Sequence, residues 1–122
     1  MKHFLVIDDD ALVRESIQLM LNDSDYKVDL AEDGVQGIKL FKQNKYDIVI
    51  TDIIMPNKEG FETISELKSI NDNVKIIAIS GGSRNGIGAY LPIAENLGAK
   101  AILYKPFDES ELIQTINAVY SH

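Results

Sequence analysis

The hydrophobic positions of this chain switch repeatedly between two rhythms. Phe4–Ile7, Tyr46–Thr51, Val74–Ile79 and Ala101–Tyr104 are apolar at most positions. Short, nearly continuous apolar runs of this kind predict strands, the first three of them buried within a sheet. Lys27–Ala31 alternates in polarity instead, as an edge strand does. Between these runs the apolar residues recur at helical spacing. Val13, Ile17, Met20 and Leu21 define a first helix that Asp10 can cap. Asn22–Asp25 is a turn. Asp33-Gly34 opens a second helix with Val35, Ile38 and Phe41 as its expected buried face, although Gly34 and Gly37 lower its intrinsic propensity. Phe61, Ile64, Leu67 and Ile70 give a third helix, ended by Asn71–Asn73. A short fourth helix is predicted from near Pro92 to Leu97-Gly98. Asp108, with Glu111 three residues on, forms a capping box for a fifth helix that buries Leu112, Ile113, Ile116, Val119 and Tyr120.

Strict strand–helix alternation with short connections predicts an α/β fold: one doubly wound, five-stranded parallel sheet between two helical layers. Ligands of such sheets bind outside the carboxyl ends of the strands. The strand ends are therefore the place to look for chemistry. The first strand ends in Asp8 and Asp9, the third in Asp52, the fourth in Ser80 and the fifth in Lys105.

Composition narrows the picture. A chain of 122 residues, 45% hydrophobic and 25% charged, suits one soluble domain over residues 1–122 with a real core. The absence of cysteine excludes disulfides, thiol chemistry and thiolate-bound metals. No signal peptide is visible and no segment approaches the ~20 apolar residues of a membrane span, so no membrane role is expected and the cytoplasm is the simplest compartment. A net charge of −7 argues against nucleic acid as the main partner, because phosphate binding needs clustered Lys and Arg. The aromatics Phe41, Phe61 and Phe107 read as packing residues, and the terminal His3 and His122 as incidental.

The rim has a chemical logic. Two like charges ~4 Å apart repel by about 4 kcal/mol at an effective dielectric near 20. A divalent cation among Asp8, Asp9 and Asp52 relieves that conflict. All-oxygen ligands favour Mg2+, with Mn2+ as a substitute, over zinc. Lys105 supplies a positive charge for an anion and Ser80 a hydroxyl donor. Together these groups describe phosphoryl chemistry with Asp52 as the nucleophile. The glycine-rich stretch Gly81–Gly88 is not a nucleotide-phosphate loop, because Ile87 stands where the lysine should be; it reads as a mobile loop.

Ile7-Asp8-Asp9-Asp10, Thr51-Asp52-Ile53-Ile54-Met55-Pro56 with Gly60, Ile79-Ser80-Gly81 and Lys105-Pro106-Phe107 resemble the receiver domain of two-component response regulators over essentially the whole chain. The resemblance implies a flavodoxin-like, three-layer fold with strand order 2-1-3-4-5. It implies Asp52 as the phosphoacceptor. Asp9, Asp52 and the backbone carbonyl of Ile54 would bind Mg2+, with Asp8 acting mainly through water. Ser80 and Lys105 would contact the phosphoryl group, and the Lys105–Pro106 peptide would be cis. The implied donor is a phosphohistidine on a sensor histidine kinase or a histidine phosphotransfer domain. The usual partner face is formed by the fourth helix, fifth strand and fifth helix, and a phosphorylation-linked homodimer is a further option.

Departures from the pattern carry their own expectations. Ile102 stands where the family often has an aromatic switch residue, and Tyr104 sits beside the lysine instead. The Ser80–Lys105 segment is about three residues longer than in many receivers. Ile54 and Gly82 offer no polar side chain to hold a hydrolytic water, which predicts slow self-dephosphorylation. The chain stops directly after the fifth helix, so output by protein contact or phosphorelay is expected if it is complete; a fragment of a larger regulator is the alternative. A non-phosphorylated binding or dimerisation module and a small Mg2+-dependent phosphatase stay open as other classes. The phosphatase lacks a second acid just after Asp52.

Overall fold

The computed structural model describes residues 2–53, 59–80 and 96–120. The expected Pro92 helix start, Ile54, Gly82, the 81–88 loop and His122 lie outside them. Five strands form one parallel sheet: β1 (Lys2–Ile7), β2 (Tyr26–Ala31), β3 (Ile48–Asp52), β4 (Lys75–Ser80) and β5 (Ala101–Tyr104). Their order is β2-β1-β3-β4-β5, the one the resemblance implies. Among the described residues, helices α1 (Ala11–Met20), α2 (Gly34–Gln43) and α3 (Glu59–Ile70) precede a C-terminal helix at Glu109–Tyr120. Asn96 and Leu97 are helical, and Gly98 follows at φ +113°, a left-handed conformation that glycine takes without penalty.

Side-chain alternation along the central strands divides the interior into two cores. Leu5, Ile7, Val49, Ile76 and Ala78 pack with Ile38 and Phe41 of α2 and with Ile64 and Leu67 of α3. Phe4, Val6, Ile48, Ile50, Ile77 and Ile79 pack on the other face with Ile17 of α1 and with Leu112, Ile116 and Val119 of the C-terminal helix. A strand that feeds both cores must be apolar at successive positions, which is why β1, β3 and β4 lack alternation. β2, an edge strand paired only to β1, keeps Lys27 in solvent.

The helix starts follow their capping residues. Asp10 accepts a hydrogen bond from the Leu12 amide at 2.9 Å and Asp33 one from the Gln36 amide at 2.8 Å. In the capping box Asp108 accepts from the Glu111 amide at 2.8 Å, and Glu111 accepts from the Asp108 amide at 3.4 Å. Each such cap adds about 1 kcal/mol.

The expected face of α2 needs correction. Val35 is 78% exposed, whereas Gly34, Gly37, Ile38 and Phe41 are buried. Gly37 lies against Ile7, where a Cβ would come 2.8 Å from Ile7 Cγ1, and Gly34 lies against the Thr63 hydroxyl of α3. The glycines that weaken the helix intrinsically are the ones that let it approach the sheet and α3. Ile70, at the end of α3, is also more exposed than its spacing predicts. Ile113 and Tyr120 are partly rather than fully buried.

Candidate functional site

The carboxyl ends of β1, β3 and β5 bring three of the expected residues into contact. Strand alternation explains which ones. Asp52 continues the parity of Ile48 and Ile50, and Asp8 that of Phe4 and Val6. Lys105 continues that of Leu103, which packs with the same core. Lys105 Nζ lies 3.1 Å from Asp8 Oδ2 and 3.1 Å from Asp52 Oδ2. The contact to Asp52 is a hydrogen bond; the one to Asp8 is a charge contact without hydrogen-bond geometry. Ser80 falls on the opposite parity, in phase with Ile76 and Ala78. It is buried, and its hydroxyl has no hydrogen-bond partner among the described residues. Its carbonyl accepts from the Lys105 amide at 2.9 Å, tying the ends of β4 and β5.

Asp8 is fully buried. Its amide donates to the Ala31 carbonyl at 3.1 Å, its Oδ1 accepts from the Asp10 amide at 2.9 Å, and its carbonyl accepts from Arg14 Nη1 at 2.7 Å. Asp9, next in the chain, is exposed. One carboxylate oxygen from each of Asp8, Asp9 and Asp52 lies within 4.8 Å of the others. This spacing and all-oxygen donor set fit a hard divalent cation, and the buried Asp8 Oδ2 has no hydrogen-bond donor among the described residues. Burial raises the Asp8 pKa, and the Asp52 charge adds to the rise; the Asp10 amide and Lys105 offset it only in part. Burial alone would lower the Lys105 pKa, but Asp52 and Asp8 outweigh it and raise the value.

A model of the response regulator receiver domain matches residues 4–117. The chain belongs to that family. Response regulator MprA of Mycobacterium sp. (strain KMS) is 35% identical over 115 residues, covering 94% of this chain and 49% of MprA. The probable transcriptional regulator ycf29 of Porphyra purpurea is 32% identical over 123 residues, covering 97% of this chain and 56% of the relative. The receiver thus spans about half the length of the curated relatives it matches. Among solved structures, chemotaxis protein CheY4 of Vibrio cholerae superposes with a TM-score of 0.87 at 26% identity, covering 98% of each chain. Response regulator TrrA of Thermotoga maritima, solved in complex with Mg(2+)-BeF, gives 0.83 at 31% identity, covering 98% of this chain and 99% of TrrA.

Other features of the receiver fall around this centre. The Lys105–Pro106 peptide is cis. Ile102 leans partly buried on the core beneath α2 and α3, and Tyr104 pairs in register with Ser80. An apolar groove of about 260 Å³ opens between α1 and the segment after β5, lined by Leu12, Val13, Met20, Pro106 and Phe107. Two residues escaped sequence reasoning. Arg14, a basic side chain six residues after Asp8 on a capped helix, could have been noticed as able to fold back on the acidic turn. His3 is not incidental structurally. Its Nε2 bonds Asp29 Oδ2 at 2.8 Å, an oxygen that also accepts from Tyr46 OH at 2.8 Å. That cluster lies at the sheet end opposite the acidic rim. Among the described residues no helix is long and apolar enough to cross a membrane.

Proposed function

We propose that this receiver accepts a phosphoryl group on Asp52 from a phosphohistidine donor. The observation that carries the proposal is the position of Asp52, beside Asp8 and Asp9 and hydrogen-bonded to Lys105 at 3.1 Å. In the transfer one carboxylate oxygen of Asp52 attacks phosphorus. The O–P bond forms, the P–N bond breaks, and its electron pair stays on the imidazole nitrogen. Lys105 then follows the charge from the carboxylate to the phosphoryl oxygens. Ser80, whose hydroxyl at the end of the neighbouring strand has no hydrogen-bond partner among the described residues, donates to the same group. Asp9, Asp52 and the Ile54 carbonyl would hold Mg2+ directly, and Asp8 through water. Bound there, Mg2+ (or Mn2+) neutralises charge on the transferred group. The presence of Mg(2+)-BeF in the TrrA complex supports this assignment.

The donor is a sensor histidine kinase or a histidine phosphotransfer domain. The signal passes to a protein target through the surface around β5 and the C-terminal helix, or onward by phosphorelay. Ile54 and Gly82 supply no polar side chain to position a water, so self-dephosphorylation is slow; a phosphoryl half-life of seconds at neutral pH overturns this part.

Incubation with a small phosphodonor and Mg2+, followed by intact mass, tests the whole reading. One added phosphoryl group is expected, dependent on Mg2+ and absent in Asp52→Asn. Absence of any adduct sinks the proposal in favour of a binding module. Multiple turnover of phosphomonoesters sinks it in favour of a phosphatase.

A further inference from the structure

Asp9 is the most exposed of the three acidic groups, yet as a metal ligand it must be aimed. What fixes its direction is the backbone on either side of it. The Asp8–Asp9 peptide is planar, so anchoring its oxygen orients the whole unit. That oxygen accepts from Arg14 Nη1 at 2.7 Å, a short, charge-assisted hydrogen bond. The Asp9–Asp10 peptide is anchored in turn by its N–H, which donates to Asp8 Oδ1 at 2.9 Å. Asp9 is thus suspended between two pinned peptide planes. One pin is Asp8 itself; the other is a guanidinium one turn into α1. The Asp10 cap fixes the start of that helix, and the Arg14 amide donates to the Asp10 carbonyl at 3.1 Å. Arg14 therefore grips the acidic turn at two points, through its backbone and through its side chain. A fixed positive charge at the Asp8 carbonyl also sits where the turn carries three consecutive carboxylates.

We infer that Arg14 is a positioning residue for the cation site: by holding the Asp8 carbonyl it aims Asp9 and sets the Mg2+ affinity of the rim. The inference rests on the Mg2+ reading given under Proposed function. Groups that orient ligands from behind typically change metal affinity by about 10- to 100-fold when removed. Arg14→Met keeps the aliphatic stem and loses both donor and charge. Arg14→Lys keeps the charge and a single donor.

The test is Mg2+ titration of the full chain followed by the backbone amide and carbonyl NMR shifts of residues 8–10, with thermal midpoints measured without metal. Asp9→Asn serves as the control for the site itself. The expected result is Mg2+ binding weakened roughly tenfold in Arg14→Met. The Asp8 carbonyl carbon should shift in the direction of a lost hydrogen bond, and Arg14→Lys should recover most of both changes. Wild-type affinity in Arg14→Met overturns the inference while leaving the site intact. Equal loss in Arg14→Lys and Arg14→Met, with equally lowered midpoints, overturns it in favour of a general role in folding. No Mg2+ binding by the wild type is the separate failure of the underlying metal reading.

Discussion

One ammonium group stands between two carboxylates that are almost entirely out of water, and it does not neutralise both. Asp8 carries the strain. Its pKa is raised, chiefly by burial and then by Asp52, so it loses stability when it ionises. A raised carboxylate contributes stability below its unfolded value of 3.8, and that contribution is lost as pH rises through the folded value. At neutral pH without metal, Asp8→Asn should therefore stabilise the fold, by about 1 kcal/mol. Thermal unfolding in a chelator checks this; a lower midpoint than wild type contradicts it. Asp29, midway along the edge strand β2, behaves in the opposite sense. Burial would raise its pKa, but hydrogen bonds from Tyr46 and His3 outweigh it and lower the value. Its contribution is present above 3.8 and disappears as pH falls through the folded value. Tyr46→Phe should cost about 1–2 kcal/mol at pH 7, with the gap to wild type closing below pH 3.8. Urea denaturation across this range measures it, and a pH-independent gap would show that the hydroxyl acts through packing alone.

Among the elements, α2 shows where helical periodicity misleads. Val35 and Ile38 share a three-residue spacing, so both read as buried. Burial is decided instead by how closely the helix approaches its neighbours, and the closest points are Gly34 against Thr63 and Gly37 against Ile7. Gly37→Ala should gain helix propensity of about 1 kcal/mol. It should lose more to the collision with Ile7, since overpacking costs about 1–3 kcal/mol. Net destabilisation is expected, whereas Val35→Gln should stay within about 0.5 kcal/mol of wild type. Chemical denaturation of both variants tests the assignment of the two faces. The helix ends were far more legible than this face. Asp10, Asp33 and the Asp108–Glu111 pair announce themselves by residue type, because capping is a local interaction. Ile70 and Val35 depend on distant partners, and spacing within one helix does not contain them.

For the molecule as a whole, four strands follow from the apolar runs, because strands that serve two cores have nowhere to place a polar residue; β2 follows from its alternation, and the parallel pairing from the alternation of strands with helices. The polar residues are displaced to the strand ends, and this is why Asp8, Asp9, Asp52, Ser80 and Lys105 could be picked out without coordinates. The strand order needed the family resemblance, since connection lengths alone permit other orders. The contacts within the rim needed the structure. Alternation places Lys105 in phase with Asp8 and Asp52 and leaves Ser80 out of phase, a relation that depends on how the strands are staggered. Arg14 was missed for a similar reason, since its partner is a backbone carbonyl that leaves no mark in residue type. If the rim binds Mg2+, the fold should gain about 2.7 kcal/mol at a hundredfold excess over Kd. For a domain of this size that is a rise of roughly 10 °C in thermal midpoint. Calcium-free differential scanning calorimetry with and without Mg2+ should show the rise in wild type and lose most of it in Asp9→Asn. An unchanged wild-type midpoint at saturating Mg2+ counts against the site.

The two equal 3.1 Å distances from Lys105 have one more implication. A cation equidistant from two anions behaves like a balanced bridge circuit, which reads zero until one arm changes. A metal ion or a new covalent group at the rim would alter the arms unequally, and the imbalance would register at the lysine. That lysine follows β5, which among the described strands pairs with β4 alone. If the rim is where the receiver changes state, the change would be felt first on an edge of the sheet rather than at its centre.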